Sequence, residues 1–180
     1  VGNISALEKK IHLRDLHLEL AIGHTRWATH GKPNKENAHP HYDTKKTIAV
    51  VHNGIIENYS ELKLWLQQKK SVICETETDT EVIAQLIACH YQGCIKKAVR
   101  STMQQLKGSF AIAAIHHEHP NEIIAIAREN PLAIGYSLKQ EEILISSDPN
   151  AFFFCTLNVY YLKNNKIGCI KKNKIHIYNP

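Results

Sequence analysis

The chain has 180 residues, of which 43% are hydrophobic and 22% are charged, and its formal net charge is +5 at pH 7. This length suffices for one buried core, and the composition is ordinary for a globular protein and favours neither a disordered nor a membrane protein. Residues 1–10 lack the apolar core of a signal peptide, and no apolar run approaches a membrane span. We therefore expect a cytoplasmic domain without a membrane partner.

Two further composition features bear on partners and compartment. The five cysteines, Cys74, Cys89, Cys94, Cys155 and Cys169, contain no C-x-x-C pair, so they predict reduced thiols and neither a disulfide framework nor a zinc site. The lysines are dispersed except at residues 171–174, which we interpret as a solvated turn and not as a nucleic-acid contact. We expect no nucleic-acid partner.

The first third of the chain predicts a surface segment followed by strands. Residues 1–18 are polar and weakly helical, which is typical of a surface connector. Residues 18–28, LELAIGHTRWA, predict a strand that runs into a loop marked by glycine, proline and asparagine at 31–37. The uninterrupted apolar run at 47–52, TIAVVH, predicts a strand buried on both faces.

Helical spacing and capping patterns predict three helices in the middle of the chain. Asn58 followed by Glu61 indicates a capping box at the start of a helix over 59–70, and Thr78 followed by Glu81 indicates another before a helix that ends near His90. A third helix over 95–106 stops before a glycine.

The remaining chain is rich in strand patterns, which makes the predicted fold class α+β in one domain. The predicted strands cover residues 109–115, 122–128, 132–136, 142–146, 159–163, 166–170 and 175–178.

Polar side chains that could hold an amino acid follow the first predicted strand and open the second helix. Arg26 has the planar fork of donors that matches a carboxylate, and Asp79 offers a negative charge to an ammonium group. Taken alone, Arg26 is equally typical of a surface ion pair, and Asp79 is equally typical of a helix start. Both interpretations stay open on these residues alone.

The motif HNGIIEN at 52–58 follows the buried strand directly. An asparagine amide next to a glycine N–H, free of side-chain bulk, could form an oxyanion hole for a tetrahedral intermediate. A simple Asn-Gly turn is the alternative for Asn53 and Gly54 when the motif is considered by itself.

Three motifs in one order carry a family resemblance: GHTRWATHGKPNKENAHPH at 23–41, VHNGIIEN at 51–58 and ETDTEVIA at 77–84. They resemble the class II glutamine amidotransferases, and the likeness extends over essentially the whole chain. The resemblance implies an αββα sandwich of the N-terminal nucleophile hydrolase type and hydrolysis of L-glutamine to glutamate and ammonia. It implies no metal and no cofactor.

The resemblance also implies roles for individual residues. The amino and carboxylate groups of glutamine would be held by Arg26, Thr29, His30 and Asp79. Asn53 and Gly54 would form the oxyanion hole, and Trp27 would lie on a mobile loop that closes over the substrate. His39 would support the same pocket.

The sequence motifs WATHG and NAHPH are most similar to those of one group within the family. In that group, the glutaminase domain passes ammonia to a companion sugar isomerase domain, which binds fructose-6-phosphate. We therefore expect the parent enzyme to make glucosamine-6-phosphate and to form a homo-oligomer. Nothing in residues 1–180 resembles the isomerase domains, so the chain is expected to be a partial amidotransferase domain.

The nucleophile is the main departure from the family pattern. The family uses an N-terminal cysteine whose own α-amino group is the base, whereas this chain has Val1. We expect a domain that is incomplete at its N-terminus and inactive alone.

Three alternatives remain open at this stage. Cys74 could substitute as the nucleophile, although attack geometry tolerates little displacement. A metal could be bound by imidazoles and a carboxylate, or the chain could be a catalytically dead glutamine-binding or regulatory module. The residues with metal-ligand chemistry are His24, His30, His39, His41 and Asp43.

Overall fold

The protein is described by a computed structural model that covers residues 3–11, 19–27, 31–137, 142–153, 158–172 and 174–179. Its helices are α1 (Ile4–Ile11), α2 (Tyr59–Lys70), α3 (Asp79–His90) and α4 (Ile95–Gln105), with a short 3-10 helix at Pro149–Phe152. The strands are β1 (His41–Tyr42), β2 (Ile48–Gly54), β3 (Phe110–His116), β4 (Glu122–Arg128), β5 (Ala133–Ser137), β6 (Glu142–Ser146), β7 (Asn158–Tyr161), β8 (Ile167–Lys171) and β9 (Lys174–Tyr178).

Two antiparallel sheets organise these strands. The larger sheet has six strands in the order β1-β2-β3-β4-β8-β9, and the smaller has three in the order β6-β5-β7. In the larger sheet Gly54 at the end of β2 pairs with Phe110, which in turn pairs with Arg128. The last residue of β2 therefore lies at one end of the sheet, with neighbouring strands beside it.

The two faces of the larger sheet are covered by different layers. On one face, alternate residues of β2, β3 and β4, such as Val50, Ile112 and Ile126, pack in one apolar cluster with the buried stripes of α2, α3 and α4. On the other face, small residues such as Ala111 and Ala125 pack against the smaller sheet. Burial on both faces explains why β2 and β3 lack polar alternation, and the α+β class is confirmed.

The predicted helices form within a residue or two of their expected bounds, but of the two predicted capping boxes only the N-cap half of the one at Thr78 is confirmed. Thr78 accepts a hydrogen bond from the N–H of Glu81 at 3.4 Å, while the Glu81 carboxylate reaches back to the N–H groups of Glu75 and Thr76. Asn58 makes no side-chain cap, so that prediction was wrong. Its amide instead bridges to the segment after α4, donating to the carbonyl of Gln105 and accepting from Lys107.

The strand predictions were less accurate near the start of the chain. Residues 19–27 form no strand, so the strand predicted over 18–28 was wrong for the part that the structure describes. The two-residue β1 was missed because it is too short to show alternation. The helix α1 has no buried residue, which confirms a surface segment there. No helix in the described ranges is long and apolar enough to cross a membrane.

Candidate active site

A cavity of about 870 Å³ opens at the end of β2. Its polar lining comes from residues 24–27, from His39, from the end of β2, from the start of α3, and from Ser146 and Ser147. Of the residues expected from the sequence, six line this cavity: Arg26, Trp27, His39, Asn53, Gly54 and Asp79. Thr29 and His30 lie outside the described residues.

The end of β2 requires glycine at position 54. Gly54 has a φ of 123°, and a Cβ added there would lie 2.2 Å from the carbonyl oxygen of Ser109. Only a residue without a side chain fits this approach. Asn130 donates from its side-chain nitrogen to the carbonyl of Asn53 at 3.0 Å, while Asn53 itself is exposed at the cavity. The close approach to Ser109 and the hydrogen bond from Asn130 thus fix the backbone at Asn53 and Gly54, which both line the cavity.

Asp79 is the first residue of α3 and is only 4% exposed. Its Oδ2 accepts a hydrogen bond from the N–H of Ile56 at 2.9 Å, and its Oδ1 lies 3.8 Å from Nδ1 of His52. The helix dipole favours a carboxylate at this position. The arrangement holds a buried negative charge beside the turn that follows Gly54.

Arg26 faces the same cavity and is anchored by backbone carbonyls. Its two terminal nitrogens donate to the carbonyl oxygens of Gly31 and Lys32, each at 3.2 Å. The neighbouring Trp27 is 90% exposed, although its ring is large and apolar. The guanidinium is therefore oriented by the chain itself, while Trp27 lines the cavity with a largely exposed side chain.

A pair that the sequence did not single out anchors the segment after Arg26. Asn37 donates to Glu77 Oε2 at 2.9 Å and accepts from the N–H of Glu77 at 3.1 Å. The same carboxylate accepts from the N–H of Lys32 at 3.1 Å. Both residues lie inside the motifs that carry the family resemblance, which was the available sequence signal. Their contact joins residues 31–37 to the segment that leads into α3.

Three histidine rings lie close together beside the cavity, and their pKa values are lowered. The rings of His24 and His39 have centroids 4.3 Å apart, and those of His39 and His41 are 4.9 Å apart. Burial, with the neighbouring imidazoles and Arg26 acting in the same direction, lowers the pKa of His39 to about 2. Burial also lowers the pKa values of His24 and His41. Among the described residues that line the cavity, Arg26 is the basic residue other than histidine and Asp79 is the acidic residue.

The histidines do not converge on a common point with Asp43. The Asp43 carboxylate accepts from the N–H groups of Thr47 and Ile48 at 2.6 and 2.7 Å and so closes the turn into β2. Within the described ranges, no group of three or more histidine, cysteine or acidic side chains is placed to hold one ion. The geometry of these residues does not favour the metal hypothesis.

The described cysteines lie away from the cavity. Cys74, Cys89, Cys94 and Cys169 are free thiols, and none of them lines it. Burial raises the pKa of Cys74 to about 11, which disfavours the thiolate that a nucleophile needs. The structure gives no support to Cys74 as a substitute nucleophile.

The sandwich of two antiparallel sheets, with helices on one face and a charged cavity at the end of a central strand, defines an α+β domain of the amidotransferase class. The chain belongs to the family described as the glutamine amidotransferase domain, whose model matches residues 24–153. This assignment agrees with the family resemblance of the motifs.

Curated relatives carry one common name. The chain is 46% identical over 178 residues to the glutamine–fructose-6-phosphate aminotransferase (isomerizing) of Aquifex aeolicus, 40% identical to that of Clostridium tetani and 42% identical to that of Chlamydia muridarum. Each comparison covers 99% of this chain but only 29–30% of the relative. The chain thus spans less than a third of the length of these relatives.

Solved structures agree on the fold. The glutamine phosphoribosylpyrophosphate amidotransferase from B. subtilis superposes with a TM-score of 0.70 at 25% identity and covers 87% of this chain and 34% of its own. An allosteric regulatory enzyme of purine biosynthesis gives a TM-score of 0.73 at 26% identity, with the same coverage. These neighbours confirm the predicted αββα sandwich of the N-terminal nucleophile hydrolase type.

Proposed function

We propose that this domain binds L-glutamine and hydrolyses its side-chain amide within a longer enzyme. The observation that carries the proposal is the opposite charge of two preorganised groups, Arg26 and the buried Asp79, on one cavity that also contains the exposed Asn53 amide. A free amino acid is a zwitterion, so a site for it needs a cation and an anion a short distance apart. The family assignment supports glutamine as that amino acid.

In this proposal the two charged residues hold the main-chain end of the substrate. Arg26 binds the α-carboxylate through its fork of donors, because its orientation is already fixed by the carbonyls of residues 31 and 32. Asp79 binds the α-ammonium. Thr29, His30 and His39 complete the recognition of this end, and Trp27 covers the substrate after it enters. The 90% exposure of Trp27 is consistent with that covering role.

The reacting end of glutamine would lie against the end of β2. Hydrolysis passes through a tetrahedral intermediate whose oxygen becomes negative, and donors aimed at that oxygen lower the barrier. We assign this role to the Asn53 side-chain amide and the Gly54 N–H. The positive φ of Gly54 and the clash that any Cβ would make with Ser109 support a backbone conformation maintained for this purpose.

The nucleophile must come from outside the described lining, since none of the four described cysteines lies there. We propose that the longer protein supplies the N-terminal cysteine of the family, whose α-amino group acts as the base. The cysteine attacks the carboxamide carbon, ammonia leaves after protonation, and water then releases glutamate from the thioester. Without that residue the chain is expected to bind glutamine without turnover.

The relatives' shared name supports a specific parent enzyme. We propose that the ammonia passes to a companion sugar isomerase domain that binds fructose-6-phosphate, and that glucosamine-6-phosphate and glutamate are the products. We further propose a homo-oligomeric, cytoplasmic enzyme that needs no metal or cofactor for glutamine hydrolysis. The free thiols of the described cysteines fit a reducing compartment.

A glutamine-binding module without catalysis is the second candidate, and the absence of a described cysteine from the cavity lining favours it for the isolated chain. One experiment separates the two. Glutamate release from L-glutamine is measured for the 180-residue chain and for the full-length protein with its natural N-terminus, and glutamine binding to both is measured by calorimetry. Turnover by the full-length protein alone supports the glutaminase, whereas binding without turnover by both supports the module.

The specificity of that assay needs two controls. D-Glutamine tests whether the α-carbon groups are recognised together, and Arg100→Ala, a substitution on the exposed surface of α4, is the matched control for Arg26→Ala. Failure of the full-length protein to bind or hydrolyse L-glutamine would refute the proposal.

A further inference from the structure

The hydroxyl of Thr80 joins the segments that line the candidate site. Its Oγ lies 3.2 Å from Nε2 of His39 and 3.1 Å from Nδ1 of His52. His39 follows the segment that orients Arg26, His52 directly precedes Asn53, and Thr80 directly follows Asp79. Thr80 and His52 are 1% and 4% exposed, so the hydrogen bond between them is shielded from water. One buried oxygen thus connects the loop, the end of β2 and the start of α3.

The backbone determines the direction of these hydrogen bonds. The N–H of His52 can only donate, and it donates to Nδ1 of His39 at 3.4 Å, so that nitrogen carries no proton. Because the pKa of His39 is lowered to about 2, its ring is neutral and its proton lies on Nε2, which donates to the Thr80 oxygen. The hydrogen of the hydroxyl is then available to Nδ1 of His52, which accepts it.

The protonation of His52 matters because of its other neighbour. Nδ1 of His52 lies 3.8 Å from Oδ1 of Asp79, and both side chains are buried. A second ring proton, carried on this nitrogen, would convert His52 to the imidazolium, which would form an ion pair with Asp79 and offset the charge of the carboxylate. That carboxylate is the group proposed to bind the ammonium of glutamine.

We propose that Thr80 is a positioning residue whose hydroxyl keeps Nδ1 of His52 unprotonated, so that the charge of Asp79 remains available to the substrate ammonium. The inference rests on the proposed function, since it concerns the affinity of the same site for glutamine. Thr80 and Asp79 from α3 contact the ring of His52, whereas His24 and His39, from the segments before β1, contact its backbone. Among these groups, Asp79 is the only acidic one.

The test uses the full-length protein and the variant Thr80→Val, which replaces the hydroxyl by a methyl of similar size. We expect the KM for glutamine to rise by about tenfold at pH 6, by less at pH 8, and kcat to change little, because an acidic shift allows the competing His52–Asp79 pair to form. Thr80→Ser restores a hydroxyl and is expected to restore most of the affinity.

Thr102→Val is the matched control, because Thr102 in α4 is a buried threonine whose hydroxyl has no hydrogen-bond partner in the described structure. Its KM is expected to match the parent at both pH values. If Thr80→Val behaves like Thr102→Val while the parent hydrolyses glutamine, the inference fails and the proposed function survives. If the parent does not bind or hydrolyse glutamine, both fail.

A spectroscopic measurement keeps the inference falsifiable even if Thr80→Val does not fold. Nitrogen-15 NMR of the histidine rings in the 180-residue chain distinguishes a protonated from an unprotonated Nδ1. We expect His39 and His52 both to have unprotonated Nδ1 atoms at pH 7. A proton on Nδ1 of His52 would overturn the inference whatever the kinetics show.

Discussion

Two cavities of similar volume lie at opposite ends of the six-stranded sheet. They differ in whether their charged side chains are buried or exposed to solvent. The cavity at the end of β2 measures about 870 Å³, and its anionic residue, Asp79, is buried and hydrogen-bonded to the backbone. The other, about 820 Å³, lies beside the turn between β8 and β9. It is rimmed by the lysines Lys96, Lys171, Lys172 and Lys174.

The two cavities have similar volumes but differ in how firmly their charged groups are held. The ammonium groups of Lys171, Lys172 and Lys174 are exposed on flexible side chains, so water solvates them and salt screens them. Arg26 and Asp79 are held by backbone groups before any ligand arrives, so less ordering entropy is lost on binding. Mutations that break this preorganisation should therefore cost far more than mutations that remove surface charge.

The largest effect is expected for Asn53→Ala in the full-length enzyme. If the amide of Asn53 donates to the oxygen that becomes negative, kcat should fall about a hundredfold or more with little change in KM. Steady-state glutamate release measures both constants. Asn121→Ala, in the turn before β4 at the opposite end of the sheet, is the control. A kcat within a few-fold of the parent, combined with lower stability, would show that Asn53 is only a turn residue.

The next largest effect is expected for the two charged residues. Arg26→Ala and Asp79→Asn each remove one charge-assisted contact, worth roughly 1.5–3 kcal/mol, so each should raise the KM for glutamine by about tenfold or more. Calorimetry with glutamine checks that KM follows affinity. Arg100→Ala should leave KM unchanged. Equal KM values in all variants would remove Arg26 and Asp79 from the site.

The neutral histidines predict a pH dependence of stability. Unfolded His39 takes up a proton near pH 6.5, whereas folded His39 does so only near pH 2. Its contribution to the free energy of unfolding is therefore fully present above about pH 6.5 and is lost as the pH falls towards 2. Between pH 6.5 and pH 5 the loss should be no more than about 2 kcal/mol for this residue.

Urea denaturation of the 180-residue chain at pH 7 and pH 5 measures this loss. His39→Asn should reduce the difference between the two pH values, while His176→Asn, at an exposed position of β9, should not. A stability that is independent of pH between 7 and 5 in the parent would contradict the buried, neutral state of His39.

The sequence predicted the strands and helices of the fold better than the hydrogen bonds between residues that are distant in the chain. Apolar runs predicted β2 and β3 because both faces of these strands are buried, and helical spacing predicted α2, α3 and α4. The capping pattern at Asn58 failed for a physical reason: its amide satisfies backbone groups near Gln105 that lie 47 residues away. Local patterns carry no information about such partners.

In the candidate site, too, individual residues were predicted but the long-range contacts between them were not. Arg26, Asn53 and Asp79 were predictable because their chemistry and motifs are local, and the structure brings them to one cavity. The pairing of Asn37 with Glu77 and the bridge from Thr80 to two histidines were not predicted, because they depend on how distant segments meet. The roles of the individual residues in catalysis remain predictions.

The smallest effect is expected at the cavity beside the turn between β8 and β9, called the basic cavity below because four lysines line it. Replacing Lys171, Lys172 and Lys174 together by alanine removes three exposed positive charges from the end of the sheet opposite Gly54. Because solvated charges at this distance are screened, the KM and kcat for glutamine should stay within about twofold of the parent. Fluorescence polarisation with a short RNA at about 0.15 M salt should show no saturable binding to the parent chain. Saturable binding that the triple variant loses would establish the basic cavity as a nucleic-acid contact, and the distinction between the two cavities would no longer hold.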